Sequence, residues 1–382
     1  MTLDELDALD DAAFRAHVRE WVEAHTPPEL RFPRRRLHWH ENRPWYLKLS
    51  AQGWLAPAWP REHGGMGLGA GRQLIMIEEF ERWGCPRISD MGVLMLGPML
   101  LKHGSAAQQR HFLPRILSGE DIWAQAYSEP NAGSDLAALR LEAVDCGDHW
   151  RLNGQKTWIT FANDANWIFV LARTDKAAKK QAGISFLLLP ADSPGLTIRP
   201  ILNLDLHDEF CEIFFDDVRV PKDMVVGEVN QGWTYAKALL GFERVAIGSP
   251  RLSANGLGAL KRLAAAVGKS DDPAFLETYA RFRLDLADLK ALYESFVAAL
   301  NRGEALGPEV SILKIVQTEL YQRITDAMLE LAGENAGLLD PMPGQALHPA
   351  GQFLMARPST IFGGSSEILR NVLARSLLDL PA

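Results

Sequence analysis

The sequence predicts a mainly helical protein with a β domain in its middle. Three observations carry this. Apolar residues recur at helical spacing through the first third of the chain. From Leu139 to Val226, short segments rich in β-branched and aromatic residues are separated by turn signals. After Gly227 the helical period returns. The 382 residues are too many for one core, and the pattern divides them into a helical domain over 1–121, a β domain over 122–226 and a second helical domain over 227–382.

Each element follows from local chemistry. Phe14, Val18, Trp21 and Val22 form a helical stripe behind Asp10-Asp11, which can cap its start, and Pro27-Pro28 ends it. Arg31-Phe32-Pro33-Arg34-Arg35-Arg36 reads as a solvated basic loop, with phosphate binding as the alternative. Gly64 to Gly71 reads as a flexible loop, because it lacks the strand and helix that flank a dinucleotide-binding glycine motif. Gln73 to Trp83 and the largely apolar Met91 to Lys102 read as helices. Trp150-Arg151-Leu152 before the turn signal Asn153-Gly154, then Trp167 to Ala172, Ile184 to Leu189 and Glu212 to Phe215, read as strands of a small antiparallel barrel or sandwich. Lys176 to Gln181 is a charged turn between two of them. Beyond Gly227, Trp233 to Ala266 reads as a long helix bent near Gly248-Ser249-Pro250, followed by helices over Arg281 to Asn301 and Ser311 to Leu331. Ala332 to Gln352 is loop-rich, and a last helix starts after Ser365.

Composition narrows the function. Hydrophobic residues make up 47% and charged residues 23%, as in an ordinary soluble domain. The net charge of −8 is spread along the chain, which argues against nucleic acid as a partner. No uncharged apolar run reaches membrane-spanning length, so no membrane span is expected. Cys85, Cys146 and Cys211 are scattered and odd in number, which fits three partly buried thiols in a reducing cytoplasm and offers no metal motif. The acidic start shows no signal peptide, so the expected location is cytoplasmic.

Four motifs stand out in order: Tyr127-Ser128-Glu129-Pro130-Asn131-Ala132-Gly133-Ser134-Asp135, Lys156-Thr157-Trp158-Ile159-Thr160, Phe242-Glu243-Arg244 and Phe362-Gly363-Gly364-Ser365-Ser366-Glu367-Ile368. Taken singly, each has a plain structural reading as a turn, a strand, a helix face or a glycine-permitted helix start. Two glycines before a helix also leave bare N–H groups able to hold an anionic or carbonyl oxygen. Taken together, the four motifs resemble the acyl-CoA dehydrogenase family from roughly residue 10 to the end. Within it, Thr174 to Phe186 and Leu239 to Arg244 are most similar to the large subunit of pimeloyl-CoA dehydrogenase.

The resemblance implies an N-terminal helical domain, a central antiparallel β-barrel and a C-terminal four-helix bundle, with FAD between the β domain and the C-terminal helices. It implies removal of an α-proton and a β-hydride from an acyl-CoA thioester, giving the 2-enoyl-CoA as in β-oxidation of fatty acids, with flavin N5 taking the hydride. The thioester carbonyl then needs fixed donors where negative charge develops, and by position the Gly363 N–H is one. Many relatives carry a glutamate base where this chain has Gly363. A smaller set keeps glycine there and draws the glutamate from the helix after the β domain, where Glu243 stands. Tyr127, Ser128, Gly133, Ser134, Trp158, Ile159, Thr160, Gly333, Gly364, Ser365 and Glu367 are the implied cofactor contacts, with Ser134 and Arg244 also toward the CoA moiety.

The pattern departs from the family in two places. Val267 to Phe275 lacks the Arg-x-x-Phe-Gly element that reaches a neighbouring subunit's FAD, and Glu330-Leu331-Ala332-Gly333-Glu334-Asn335 alters the Gln-x-x-Gly-Gly element. These departures leave two alternatives: a non-catalytic or FAD-site-completing partner subunit in a heteromeric dehydrogenase, or an oxygen-using oxidase or monooxygenase on the same fold. The apolar Met91 to Leu101 and Leu239 to Phe242 segments suit a medium or bulky acyl group. The expected partners are an acyl-CoA, an electron-transfer flavoprotein and further subunits of a homo- or hetero-oligomer.

Overall fold

Seven strands form one sheet: β1 (Trp123–Ala126), β2 (Glu142–Asp145), β3 (His149–Thr160), β4 (Trp167–Arg173), β5 (Ile184–Pro190), β6 (Leu196–Ile201) and β7 (Phe210–Pro221). They belong to a computed structural model that describes residues 1–381 apart from 89–90, 238–246, 305 and 343–346. β3 and β7 alternate open and buried positions and pair antiparallel, from His149 opposite Pro221 to Thr160 opposite Phe210. β4 and β5 are buried at nearly every residue, which is why they read as unbroken apolar runs. Leu152, Ile159, Ile168, Val170, Leu187, Ile213 and Val220 meet in the core of this sheet.

The antiparallel barrel expected from the sequence is corrected on two counts. β1 runs parallel to β4, and β2 meets β4 in parallel at Glu142 and Arg173. The sheet is also open: β5 pairs with β4 and β6 with β7, and β5 and β6 do not pair with each other. Turn signals report only local reversals. A parallel pair joins strands that are far apart in sequence, so nothing local announces it. The same limit explains Asn153-Gly154. β3 runs through it, and the pair marks an irregularity at which the Asn153 side chain bonds both the N–H (2.9 Å) and the carboxylate (2.8 Å) of Asp217.

The described helices are α1 (Leu3–Asp7), α2 (Asp11–His25), α3 (Trp39–Gln52), α4 (Ala70–Trp83), α5 (Gly97–His103), α6 (Ala106–Ser118), α7 (Arg251–Ala266), α8 (Pro273–Asn301), α9 (Ser311–Ala332), α10 (Pro349–Ala356) and α11 (Ser366–Leu377). Asp10 caps α2 by accepting the Ala13 N–H at 2.8 Å, and α2 stops just before Pro27. Several bounds differ from expectation. A π-helical turn over Gly92–Leu96 precedes α5. The Trp233 to Ala266 stretch is broken at residues 248–250, and α7 begins after Pro250. α8 starts at Pro273, ahead of Arg281, because Asp272-Pro273 supplies both an N-cap and a first-turn proline. α10 occupies part of a segment read as loop.

Two loop readings are corrected in part. A Cβ on Gly65 would stand 2.1 Å from the Trp59 carbonyl oxygen, so the glycine run is close-packed there, while Gly67 and Gly69 stand exposed. Arg31 stacks on Trp83 at 3.6 Å and the Arg36 guanidinium lies 3.9 Å from Glu209, so these two are held, whereas Phe32 and Arg34 are exposed, as expected of a solvated loop. Among the cysteines, Cys85 is half-buried, Cys146 exposed and Cys211 buried, with burial pushing the Cys85 and Cys211 thiols up to about 11. Among the described residues, no helix is long and apolar enough to cross a membrane.

By packing, the chain forms two compact units, each assembled from separated segments. One contains 1–35, 69–85 and 241–382; the other contains 36–68 and 86–240, and so includes the sheet with α3, α5 and α6. In the first unit, Leu74 packs with Leu257, Leu260, Leu286, Leu289, Leu313, Leu320, Ile324 and Met328 from α7, α8 and α9. α2 and α4 are joined by an ionic knot. Glu79, 1% exposed, accepts from Arg19 (3.0 Å), Arg82 (2.6 Å) and Arg15 (3.1 Å). Burial alone would raise its pKa, but the bonds from Arg19, Arg82 and Arg15 outweigh it and hold the carboxyl down to about 2.

A carboxylate whose folded pKa is depressed contributes stability above its ordinary value of 4.5 and loses it as the pH falls toward about 2. Glu79→Gln is therefore expected to lower the unfolding free energy by about 2–3 kcal/mol at pH 7. The gap should close progressively below pH 4.5. Urea titrations of both proteins across that range measure it.

Candidate active site

In the sheet-bearing unit, two of the four motifs are joined by a buried ion pair. β1 leads into Tyr127-Ser128, and the backbones of Glu129 and Ala132 then bond each other in both directions (3.1 and 3.0 Å), so Pro130-Asn131 forms the tip of a tight turn. The Glu129 carboxylate turns inward, accepting the N–H groups of Arg140 (2.7 Å) and Leu141 (2.8 Å) and the ammonium of Lys156 (2.8 Å). Lys156, fully buried, also donates to the Tyr127 carbonyl at 3.0 Å. Burial pulls the Lys156 pKa down to about 8, even though Glu129 opposes the shift. The Thr157 N–H completes the link by donating to the Ser128 carbonyl at 2.9 Å.

This anchorage shapes the next residue. Lys156 lies opposite Ile213 and Ile159 opposite Cys211, so two β3 residues face one on β7. In this bulge Trp158 adopts φ +60°, and its indole is 61% exposed, edge-on to Phe210 at 6.0 Å. Thr160 is half-buried beside it, whereas the Ile159 side chain lies in the core, leaving only its backbone for a ligand. Tyr127 is largely buried, and Gly133 and Ser134 stand exposed on the turn beyond.

The other unit carries the glycine motif. Gly363 (φ +63°) and Gly364 (φ +92°) both take left-handed conformations that favour glycine. Ser365 then caps α11, its hydroxyl accepting the Ile368 N–H at 3.3 Å. The buried Lys314 of α9 donates to the Gly364 carbonyl. In a trans peptide the carbonyl and the following N–H point opposite ways, so this bond turns the Ser365 N–H away from Lys314. The Ser366 hydroxyl is buried with no hydrogen-bond partner among the described residues. Glu367 is exposed, with its pKa lowered by hydrogen bonds from its own backbone and from Ser365, as fits a residue serving the helix start.

Gly333 ends α9 at φ +57°. Helical rise separates it from Lys314 by about 28 Å, so within one chain it stands apart from the Gly363 loop. Glu243 and Arg244 lie outside the described residues. Two open depressions, one lined by Trp167, Pro190 and Pro200 and the other by Arg15, Glu78 and Val297, contain none of the expected site residues. Sequence reasoning missed Glu129, Lys156 and Lys314 as structural parts of the site. The signal for Lys314 was available: it sits on an apolar stripe with Val310, Leu313, Leu320 and Ile324, where a lysine needs a partner.

Successive parts of the chain match the acyl-CoA dehydrogenase N-terminal domain over residues 9–120, the middle domain over 124–218 and the C-terminal domain over 230–378. The chain belongs to the acyl-CoA dehydrogenase family. It is therefore an oxidoreductase acting on CH–CH groups, in a family that oxidises acyl-CoA thioesters with FAD. It is 37% identical over 391 residues to acyl-CoA dehydrogenase IpdE1 of Mycobacterium tuberculosis (strain ATCC 25618 / H37Rv), covering 97% of this chain and 98% of that one. It is 32% identical to the mitochondrial short-chain specific acyl-CoA dehydrogenase of Homo sapiens, covering 87% and 81%. Among solved structures it is similar to a chain of the "Tcur3481-Tcur3483 steroid ACAD", with a TM-score of 0.87, 29% identity and full coverage of both chains. It is also similar to a chain of the ChsE4-ChsE5 complex from Mycobacterium tuberculosis, with a TM-score of 0.82, 28% identity and coverage of 100% and 98%.

Lys156→Met leaves the buried Glu129 carboxylate without its counter-ion, held only by the Arg140 and Leu141 N–H groups, and is expected to destabilise the protein by about 3–5 kcal/mol. Adding Glu129→Gln should return part of that loss; urea unfolding of the single and double variants measures both. Gly364→Ala meets both the left-handed φ and Leu369, 3.1 Å from the added Cβ, and should cost about 1–3 kcal/mol by the same measurement.

Proposed function

We propose that this acyl-CoA dehydrogenase binds FAD and desaturates a bulky, ring-bearing acyl-CoA, with Glu243 as the α-proton base. Trp158 carries the cofactor reading. A left-handed tryptophan costs about 1–3 kcal/mol, and here it is held with its indole open, beside the Tyr127 and Ser128 backbone. Such a ring suits stacking on a planar isoalloxazine, with Tyr127, Ser128, Gly133, Ser134, the Ile159 backbone and Thr160 around it. Gly364, Ser365 and Glu367 add a polar helix start of the kind that holds phosphate or carbonyl oxygens. When bound, FAD supplies a hydride acceptor at N5.

The rest of the chemistry falls to this chain. The Gly363 N–H donates to the thioester carbonyl, where charge grows as the α-proton leaves. Gly363 has no side chain to act as base, so a carboxylate must come from elsewhere, and Glu243 takes that proton. Arg244 contacts the CoA moiety. The substrate class is supported by likeness to a steroid ACAD and by Leu94, an exposed leucine on the otherwise buried π-helical turn.

A second reading concerns assembly. The altered Val267–Phe275 and Glu330–Asn335 elements, and the separation of Gly333 from the Gly363 loop, support a partner chain that completes the FAD site; the names of both structural neighbours above pair two components. An electron-transfer flavoprotein is the proposed acceptor.

Anaerobic flavin bleaching with a panel of acyl-CoAs tests the reaction. Wild type should bleach with ring-bearing thioesters, while a still-yellow Glu243→Gln protein should bleach about 10²–10⁴-fold more slowly. Equal rates would refute the base. A colourless single chain that turns yellow on co-expression with a partner would establish the second reading.

A further inference from the structure

The segment before α3, the connection between β3 and β4 and the loop before β7 bring two imidazoles and two carboxylates together within the sheet-bearing unit. His38 is 8% exposed and His207 6%. His38 Nε2 lies 3.0 Å from Asp208 Oδ1, and His207 Nδ1 lies 3.6 Å from the same oxygen. One ligand atom from each of these three residues falls within 4.8 Å of the other two.

The outer nitrogens of both rings are engaged. His207 Nε2 is 2.9 Å from the Arg36 carbonyl, and His38 Nδ1 is 3.0 Å from Asp164 Oδ2. A carbonyl only accepts, so His207 donates from Nε2, which leaves Nδ1 as the atom that can ligate. Carboxylates also only accept, so His38, lying between Asp164 and Asp208, donates from both nitrogens when no cation is bound. A cation at the meeting point of His38 Nε2, His207 Nδ1 and Asp208 would take the place of the Nε2 proton, which is released as the ligand binds.

We propose that His38, His207 and Asp208 form a three-ligand divalent-cation site of the zinc class. The donor set of two imidazoles and one carboxylate suits zinc, whose bonds of about 2.0–2.1 Å set tetrahedral edges of about 3.3 Å. The two edges to Asp208, 3.0 and 3.6 Å, straddle that length, and the third lies within 4.8 Å. Outer partners are in place: Asp164 and the Arg36 carbonyl orient the rings, and Asn163 Nδ2 donates to Asp208 Oδ2 at 3.1 Å. The Asn203 side chain accepts the N–H groups of Asp205 (2.9 Å) and His207 (3.0 Å), which shapes the ligand loop. Asp164 and Asp208 together balance the two positive charges. The Asp208 side chain is 40% exposed and gives an entry path and an open fourth position. Phe161, next to Thr160, packs its ring on His38 (5.0 Å) and His207 (5.8 Å), so a bound ion would brace the chain behind the expected flavin contact.

The test is a Zn²⁺ titration of the full-length, chelator-stripped protein against a chromogenic competing chelator. One equivalent should bind. His207→Gln and Asp208→Asn should each weaken binding at least about 100-fold. Asp164→Asn keeps all three ligands and should weaken it about 10–100-fold. Zn²⁺ should raise the melting temperature of the wild type most, that of Asp164→Asn less, and those of His207→Gln and Asp208→Asn least. If His207→Gln does not fold, Asp164→Asn and the ligand-field spectrum of the Co²⁺-loaded wild type carry the test. Absence of stoichiometric binding, or binding that folded Asp208→Asn leaves unchanged, would overturn the proposal. Neither outcome depends on the flavin or on Glu243.

Discussion

The buried pair between Lys156 and Glu129 organises the sheet-bearing unit's share of the site. Removing two charges from water is unfavourable unless each finds further partners, and both do. Lys156 also holds the Tyr127 carbonyl, and Glu129 also takes the N–H groups of Arg140 and Leu141. Three chain segments thus converge on one ion pair. With β3 pinned at Lys156 and Thr157 and again in register at Ile159, the chain has one residue too many, and Trp158 is the one turned outward.

The helical unit repeats the device. Lys314, buried on α9, grips the Gly364 carbonyl much as Lys156 grips that of Tyr127. In both places an inward carbonyl sends the next N–H the other way, that of Ser128 in one unit and Ser365 in the other. A buried lysine therefore fixes the direction of a backbone N–H that it does not itself bond.

Much of the candidate site was legible because its residues come in contiguous runs. Gly363-Gly364-Ser365 announces a left-handed turn and a capped helix, and that is the conformation found. Trp158 could be singled out by its motif but not by its environment, since strand periodicity says nothing of a bulge set by an ion pair from another segment. Gly333 sits in a recognisable element, yet its distance along α9 from Lys314 needs only helical rise to compute. Glu129 and Lys156 were quoted within their motifs, but two charged residues 27 positions apart carry no sign that they meet. His38 and His207 were equally silent, being isolated in sequence and adjacent only in space.

The sequence by itself determined the order of helical, β and helical segments, the extents of α2, α4 and α9, the start of α11, and the family to which the ordered motifs belong. These are local properties: caps, prolines, glycines and periodic apolar faces act within a few residues. Only the tertiary structure decided that β1 and β2 run parallel to β4, that the sheet stays open, and that residues 69–85 pack with the C-terminal helices while α3, α5 and α6 pack with the sheet. It also decided which charges are buried together. Long-range pairing and desolvation depend on which distant surfaces are covered, and no window of sequence contains both sides of that contact.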